Sequence, residues 1–135
     1  MAEKLGLVGL AWRAGKLAAG DTAVSEAVDA NKRVRLICTA SDASGRVLER
    51  ATDMPGRCNS LYAGTPFTRA ELGAALGLKE CGIIAFLDPG FAWSFAKKLK
   101  AIDNERYGAL EEELRTRKDR AEHRREKKYQ KPTRR

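Results

Sequence analysis

Two cations and two glycines near the N-terminus have the types and spacing to bind an anion. Arg13 and Lys16 follow a run with helical apolar spacing, where cations suit the C-terminal end of the helix dipole. Gly15 and Gly20 flank a short break before a second apolar run begins. The backbone N–H groups that open this next helix, from Asp21 onward, have no partner inside the helix and point outward. The pattern predicts a site for an anion or a nucleic-acid backbone.

The elements that would position these residues alternate between helices and short apolar strands. The first helix is expected to bury one stripe of side chains: Leu7, Val8, Leu10, Ala11 and Ala14. The chain is then expected to restart as a helix over 21–30. Further helices are expected up to about residue 53, over 70–76 and over 89–102, and strands over 34–40, 59–63 and 82–87. This alternation predicts an α/β fold, a three-layer α/β/α sandwich with a short mixed central sheet. A basic C-terminal tail, helical or disordered, would follow it.

Local signals fix several of the expected helix ends. Thr68-Arg69-Ala70-Glu71 has the form of a capping box. Asp88-Pro89 supplies an N-cap followed by proline at the first helical position. Ser41-Asp42-Ala43-Ser44 follows an apolar strand. Ser41, Asp42 and Ser44 are candidates to cap the helix that comes after it, an interpretation favoured over a catalytic role.

Charge is distributed unevenly along the chain. Its 135 residues carry 26 Lys/Arg against 18 Asp/Glu, a formal net charge of +8. Residues 97–135 hold 15 of these cations and only 8 of the acids. We therefore expect one domain over 1–102 and a charged, basic extension over 103–135. Such an extension would bind nucleic acid through backbone phosphates without sequence preference, using Arg115, Arg117, Lys118, Arg120, Arg124, Arg125, Lys127 and Lys128.

Several functional classes are not expected. His123 is the single histidine and lies in the charged extension, and the sequence shows neither a phosphate loop nor metal-ligand spacing. We expect that the protein is not an enzyme and that it binds neither a cofactor nor a metal. No apolar run reaches the roughly 18 residues of a membrane span, and no signal peptide is expected. Cys38, Cys58 and Cys81 are odd in number and far apart, which favours a reducing cytoplasm. Among the three thiols, Cys81 is the one candidate for solvent access, because it lies in a loop.

A set of short motifs occurs along the first 102 residues: Leu5-Gly6-Leu7, Arg13-Ala14-Gly15-Lys16-Leu17, Gly20, Ala40-Ser41-Asp42-Ala43-Ser44, Glu71-Leu72-Gly73, Gly77 and Asp88-Pro89-Gly90-Phe91-Ala92. Over residues 4–102 the chain thereby resembles the bacterial YlxQ-type branch of the superfamily of archaeal large-subunit ribosomal protein seven-Ae. The resemblance implies an α/β/α sandwich that binds structured RNA, typically kink-turns. The RNA surface it implies comprises the start of the second helix and the loop before the last strand.

The resemblance assigns candidate RNA-binding residues one by one. Archaeal kink-turn readers open the second helix with Gly-x-Asn-Glu-x-x-Lys. When that glycine is aligned on Gly20, the Asn, Glu and Lys positions are occupied by Thr22, Ala23 and Glu26. Asp21 and Thr22 are also natural helix caps, which is compatible with RNA contact. Arg13 and Lys16 would add phosphate contacts. The second implied contact is the loop Leu78, Lys79, Glu80, Cys81 and Gly82, in which Leu78 would pack against an extruded nucleotide and Lys79 would reach a phosphate.

We therefore expect a non-enzymatic RNA-binding protein that recognises structured RNA, either ribosomal RNA or a kink-turn-like element. Its partners would be structured RNA and proteins of the ribosome or of transcription and translation. A second hypothesis stays open because Thr22, Ala23 and Glu26 differ from the base-reading set. In that hypothesis the chain is a protein-interaction adaptor on the same scaffold that has lost specific RNA reading.

Overall fold

In a computed structural model the chain folds into short strands that alternate with helices. The structure describes residues 5–30 and 32–130, with side chains described up to residue 126. The helices are α1 (Gly6–Arg13), α2 (Asp21–Asp29), α3 (Gly45–Asp53), α4 (Pro55–Cys58), α5 (Arg69–Leu76), α6 (Pro89–Ile102) and α7 (Asn104–Gln130). The strands are β1 (Leu17–Ala19), β2 (Leu36–Thr39), β3 (Leu61–Gly64) and β4 (Ile83–Phe86).

The strands form one mixed sheet in the order β1-β4-β2-β3. Strand β4 runs antiparallel to both of its neighbours, and β2 runs parallel to β3. Thr39 is paired with Ile83 on one side and Gly64 on the other. The C-terminal ends of β1, β2 and β3 therefore meet the N-terminal end of β4 at one end of the sheet. We call this the upper end, and the opposite one the lower end.

Helices cover both faces of the sheet. Leu36 and Phe86 project into a core that includes Phe95 of α6 and also takes side chains from α1 and α5. Ile37 and Ala85, the neighbours of Leu36 and Phe86 along their strands, project to the opposite face, as successive strand residues do. There they pack against side chains of α2 and α3. The predicted three-layer α/β/α sandwich with a mixed sheet is confirmed.

The predicted capping signals are present at their helices. Thr68 and Glu71 form the full capping box of α5, since each side chain accepts from the backbone N–H of the other residue. Asp88 caps α6 and Pro89 follows at its first position. Ser44 caps α3, with Oγ accepting from the Val47 N–H at 3.2 Å. The expectation that Asp42 caps α3 is wrong, because its Oδ1 accepts from the backbone N–H of Arg69 in α5 at 2.8 Å.

Strand β1 was not expected. The sequence pattern predicted only a break between the first and the second helix. In the structure, residues 17–19 of this break form a strand that pairs with β4. Leu17-Ala18-Ala19 has no β-branched or aromatic residue, so nothing local favours a strand. The pairing with β4 is what makes this segment extended.

The expected buried stripe of α1 is wrong at two of its positions. Leu10 is 50% exposed, and Ala14 is also exposed. The buried face instead carries Leu5, Val8 and Ala11, which join the core shared with α5 and α6. Both stripes have helical spacing, so only the packing partner distinguishes them.

Helix α7 continues for 27 residues and packs along α6. Tyr107 and Leu114 are buried in the same core as the sheet. The Tyr107 hydroxyl donates to the carbonyl of Gly64 at the end of β3. The extension predicted after residue 102 is thus helical through Gln130, and its first half adds to the core. Among the described helices, none has the length and apolar character needed to cross a bilayer.

Polar contacts also join α7 to α6. Glu111 is only 4% exposed, and its Oε2 accepts from Trp93 Nε1 at 2.8 Å. Its Oε1 lies 3.4 Å from Lys100 Nζ. The hydrogen bond from Trp93 lowers the pKa of Glu111, since it favours the ionised carboxylate. Lys97 Nζ lies 4.0 Å above the Trp93 ring, a cation–π contact.

Candidate nucleic-acid interface

The N-terminus of α2 lies at the upper end of the sheet, beside the start of β4. Gly20 donates its N–H to the carbonyl of Ile83 at 2.9 Å and adopts φ +93°, a value that favours glycine. It is the N-cap residue of α2 and supplies no side-chain oxygen to the helix. The N–H groups of the first turn, on Asp21, Thr22 and Ala23, have no acceptor within the helix. They are oriented to meet an anion.

The side chains of this first turn differ in what they can offer. Asp21 does not cap α2. Asp21 is the first residue of the helix and Gly20 is the N-cap. The Oδ2 of Asp21 instead forms an ion pair with Arg50 of α3 at 2.7 Å. Thr22 and Glu26 are exposed, and Ala23 is half-buried. The surface therefore presents backbone N–H groups and the Thr22 hydroxyl, with the Glu26 carboxylate one turn further along the helix.

The predicted loop of residues 78–82 packs closely against α5. The N–H of Leu78 donates to the carbonyl of Gly73 at 2.8 Å. A Cβ on Gly73 would lie 2.6 Å from the Cα of Glu80, so only glycine permits this approach. Leu78 is 45% exposed, and Lys79 and Glu80 beside it are exposed too. An apolar side chain and a cation are thus held outward on a fixed loop.

Cys81, the one candidate for an accessible thiol, is inaccessible in the structure. Its side chain is buried, and Sγ donates to the carbonyl of Ile83 at 3.3 Å. Burial raises the pKa of the Cys81 thiol, which keeps it protonated and unreactive. Gly82 is half-buried, and its carbonyl accepts from the N–H of Ala40 at 3.0 Å. These two residues hold the loop to the sheet and leave the exposed contacts to Leu78, Lys79 and Glu80.

Arg69 joins the loop to the end of β2, a role that was not predicted. Its carbonyl accepts from the N–H of Cys81 at 2.9 Å, and its N–H donates to Asp42. Its guanidinium lies 3.3 Å from Glu80 and 3.6 Å from Asp42. The backbone N–H of Arg69 holds the pKa of Asp42 below its usual value. No local pattern identifies Arg69, because its partners come from distant positions in the chain.

The structure places the backbone of Lys16 and that of Gly20 at opposite ends of β1. The carbonyl of Lys16 accepts from the N–H of Leu87 at 2.9 Å, at the lower end of the sheet. Gly20 lies at the upper end, four residues after Lys16. In an extended chain this separation puts the two backbones about 13 Å apart. Arg13 ends α1 next to Lys16 in the chain. Both cations are exposed, and the backbone of Lys16 lies at the opposite end of β1 from Gly20.

The predicted cations of α7 divide into paired and unpaired groups. Arg115 lies near Glu111 and Glu112, Arg117 bonds Glu113, and Lys118 bonds Glu122 at 2.8 Å. Three others are exposed with no ion pair to any described residue: Arg120, Arg124 and Arg125. The side chains of Lys127 and Lys128 lie outside the described residues.

Comparison with known proteins finds similarity at the level of structure. No protein-family model matches the chain, and no curated protein sequence does. A Bacillus halodurans protein described as having unknown function is 32% identical, with a TM-score of 0.65, over 74% of this chain and 99% of that one. A Giardia lamblia 15.5kD RNA binding protein shares the fold at 14% identity and a TM-score of 0.58, over 74% of this chain and 84% of that one.

Proposed function

This chain belongs to the same family as the Bacillus halodurans protein of unknown function, and we propose that it binds structured RNA without catalysing a reaction. The observation that carries the proposal is the meeting of two elements at the upper end of the sheet. The open N-terminus of α2 lies beside the loop of residues 78–82, joined through the bond from Gly20 to Ile83. The Giardia protein that shares the fold is described as RNA-binding, which supports the same class of ligand.

Phosphate contact is proposed at the α2 N-terminus. The first-turn N–H groups and the positive end of the helix dipole both favour an anion. A Cβ placed on Gly20 would meet no heavy atom within 4 Å, so the backbone here is open to close approach. The nearest acid, Asp21, is paired with Arg50 through Oδ2. An RNA backbone phosphate fits this position.

A base contact is proposed at Leu78. Its exposed side chain offers apolar surface on a loop that α5 holds in place. An unstacked nucleotide gains free energy by covering such a surface, and structured RNA presents such nucleotides in loops and bulges. Lys79 adds a cation within the same loop. Recognition by this surface would rest on RNA shape and backbone, because Thr22, Ala23 and Glu26 supply none of the two-point amide contacts that read a base edge. The ribosomal or kink-turn identity of the RNA belongs to this proposal.

A titration of the full chain with fluorescent kink-turn RNA and with a scrambled duplex of equal length tests the proposal. We expect tighter binding to the kink-turn RNA, and we expect Leu78→Ser to weaken it about tenfold, a loss of about 1.4 kcal/mol. Leu10→Ser is the matched control, since Leu10 is similarly exposed but lies on α1. Equal affinity for both RNAs, or equal losses in both variants, would contradict recognition by this loop.

The adaptor hypothesis is favoured by one surface feature. Leu10 and Trp12 of α1 are 50% and 40% exposed, so two large apolar side chains of this helix are not covered by the core. Exposed apolar side chains such as these are available for contact with another protein. The same titration separates the two hypotheses, because an adaptor that has lost RNA reading would show no preference for the kink-turn RNA.

A further inference from the structure

A cluster of arginines surrounds a cavity at the lower end of the sheet. The cavity has a volume of about 490 Å³, within the usual range for small-molecule sites. Its cationic lining comes from two parts of the chain, the segment before β2 and the second half of α7: Arg33, Arg35, Arg117, Arg120 and Arg124. No carboxylate lines it among the described residues. It lies at the other end of the sheet from the α2 N-terminus.

The positions of these arginines follow from the packing of α7. Residues 117, 120 and 124 are spaced i, i+3 and i+7, so they lie on one face of the helix. Arg117 fixes that face, since Nη1 donates to the carbonyl of Asn59 at 2.8 Å and Nε to Glu113 at 2.9 Å. Asn59 lies just before β3, next to β2 in the sheet. The helix is thereby held across the strand ends with its arginines toward Arg33 and Arg35.

Arg35 occupies the most constrained position in the cluster. Its backbone N–H donates to Phe86 at 2.7 Å, which fixes the residue against β4. Its side-chain Nε is buried and has no acceptor among the described residues. Burial lowers the pKa of Arg35, and the neighbouring charges of Arg33, Arg124 and Arg117 lower it further.

Two carboxylates act on this site from outside the cavity lining, and one of them, Glu113, is paired with Arg117 at 2.9 Å. Asp88 raises the pKa of Arg35, but its Oδ2 already accepts from the N–H of Phe91 as the cap of α6. Five guanidinium groups thus face two carboxylates, so a net positive charge and mutual repulsion among the arginines remain at the cavity. An anion in the cavity would relieve this repulsion and could accept the hydrogen bond that Arg35 Nε does not make.

We propose that this arginine cavity binds a phosphate group. Guanidinium forks match phosphate oxygens in bidentate geometry, and charge-assisted bonds of this kind are among the stronger polar contacts in proteins. The group is either a phosphodiester of bound RNA or a free phosphate-bearing small molecule, since both present the same oxygens. The site is independent of the proposed contact at Leu78, because no residue lines both.

Two probes distinguish the sources: inorganic pyrophosphate, titrated by calorimetry, and a single-stranded uridine oligomer, titrated by fluorescence anisotropy. The full-length chain is compared with Arg33→Gln and Arg124→Gln, which remove one cavity cation each from separate elements. Arg125→Gln is the matched control, since Arg125 is exposed on the same helix and does not line the cavity. Thermal unfolding of each variant verifies that the fold is kept.

We expect both cavity variants to weaken binding about tenfold, as loss of a charge-assisted hydrogen bond does, while Arg125→Gln changes it less than about twofold. If Arg33→Gln and Arg124→Gln weaken the binding of pyrophosphate, the cavity is a site for a small phosphate-bearing molecule. If they weaken only the binding of the uridine oligomer, the cavity binds an RNA phosphate. Equal losses in all three variants would show diffuse attraction to α7 and overturn the proposal, as would failure of both probes to bind. Neither result depends on the kink-turn titration of the Leu78 variant, so the two proposals fail separately.

Discussion

Gly73 sets how closely the loop of residues 78–82 can approach α5. In Gly73→Ala, the new Cβ would lie 2.6 Å from the Cα of Glu80 and 2.9 Å from the carbonyl oxygen of Leu78. Both neighbours are backbone atoms, so the loop or the helix must move. We expect the free energy of unfolding to fall by about 2 kcal/mol, as overpacking does. Urea denaturation followed by circular dichroism measures the change.

Gly108→Ala provides the matched control for that substitution. Gly108 is also a helical glycine, but its added Cβ would meet only Asn104 Oδ1 at 3.5 Å, an ordinary contact. Alanine favours the helix by up to about 1 kcal/mol over glycine, so this variant should gain stability. If Gly73→Ala were also stabilised, the close approach of the loop would not be a constraint on the fold.

Glu111 is expected to make part of the stability dependent on pH. Its pKa in the folded chain lies below the ordinary value of 4.5, chiefly because Trp93 donates to the carboxylate. Its contribution is therefore complete above about pH 4.5 and is lost as the pH falls through the lower, folded-state pKa. Glu111→Gln should lower stability at neutral pH by about 2 kcal/mol, typical of losing hydrogen bonds to a charged group.

Thermal unfolding between neutral pH and pH 3 measures this effect. The difference in stability between the unsubstituted chain and Glu111→Gln should shrink as the pH falls. Glu112→Gln is the control, because Glu112 is the next residue of α7 but is exposed. A difference that stayed constant over this range would show that the carboxylate charge of Glu111 has no part in joining α6 to α7.

At the scale of elements, the stability of α5 is expected to depend on the capping box in its first turn. Thr68→Ala removes the hydroxyl that accepts from the Glu71 N–H at 3.1 Å. We expect a loss of about 1 kcal/mol in the free energy of unfolding, the usual cost of an N-cap. Thr116→Ala is the control, since the Thr116 hydroxyl bonds Glu112 within α7 and caps no helix. Similar losses in the two variants would contradict a capping role.

The elements also show which features could be predicted from sequence. The side chains of Thr68, Glu71 and Asp88 accept hydrogen bonds from backbone N–H groups three residues away, so their capping roles follow from local spacing. Strand β1 and the exposure of Leu10 depend on partners far along the chain, and alanine-rich segments fit more than one structure. Arg69 was missed for the same reason. Resemblance over residues 4–102 indicated the loop at the upper end of the sheet. The sequence marked Arg117, Arg120 and Arg124 as part of a basic extension, but nothing in it showed that they form a cavity with Arg33 and Arg35.

At the scale of the whole molecule, α7 is expected to stabilise the rest of the chain. A variant ending at Ile102 would lose Tyr107 and Leu114, both buried in the core shared with α6. Full burial of such a side chain is worth about 2 kcal/mol, so we expect a loss of at least about 3 kcal/mol. Thermal unfolding of the truncated and full-length chains measures it. An unchanged midpoint would show that residues 1–102 fold as an independent unit.

The bonds that Arg69 makes have a consequence for the speed of binding. Because this residue ties the loop of residues 78–82 to both α5 and the end of β2, the loop has little conformational entropy left to lose. A ligand that meets a preformed surface does not wait for a rearrangement, so association should be a single step limited by diffusion and orientation. The lifetime of the complex, and not the rate of encounter, would then distinguish one RNA from another.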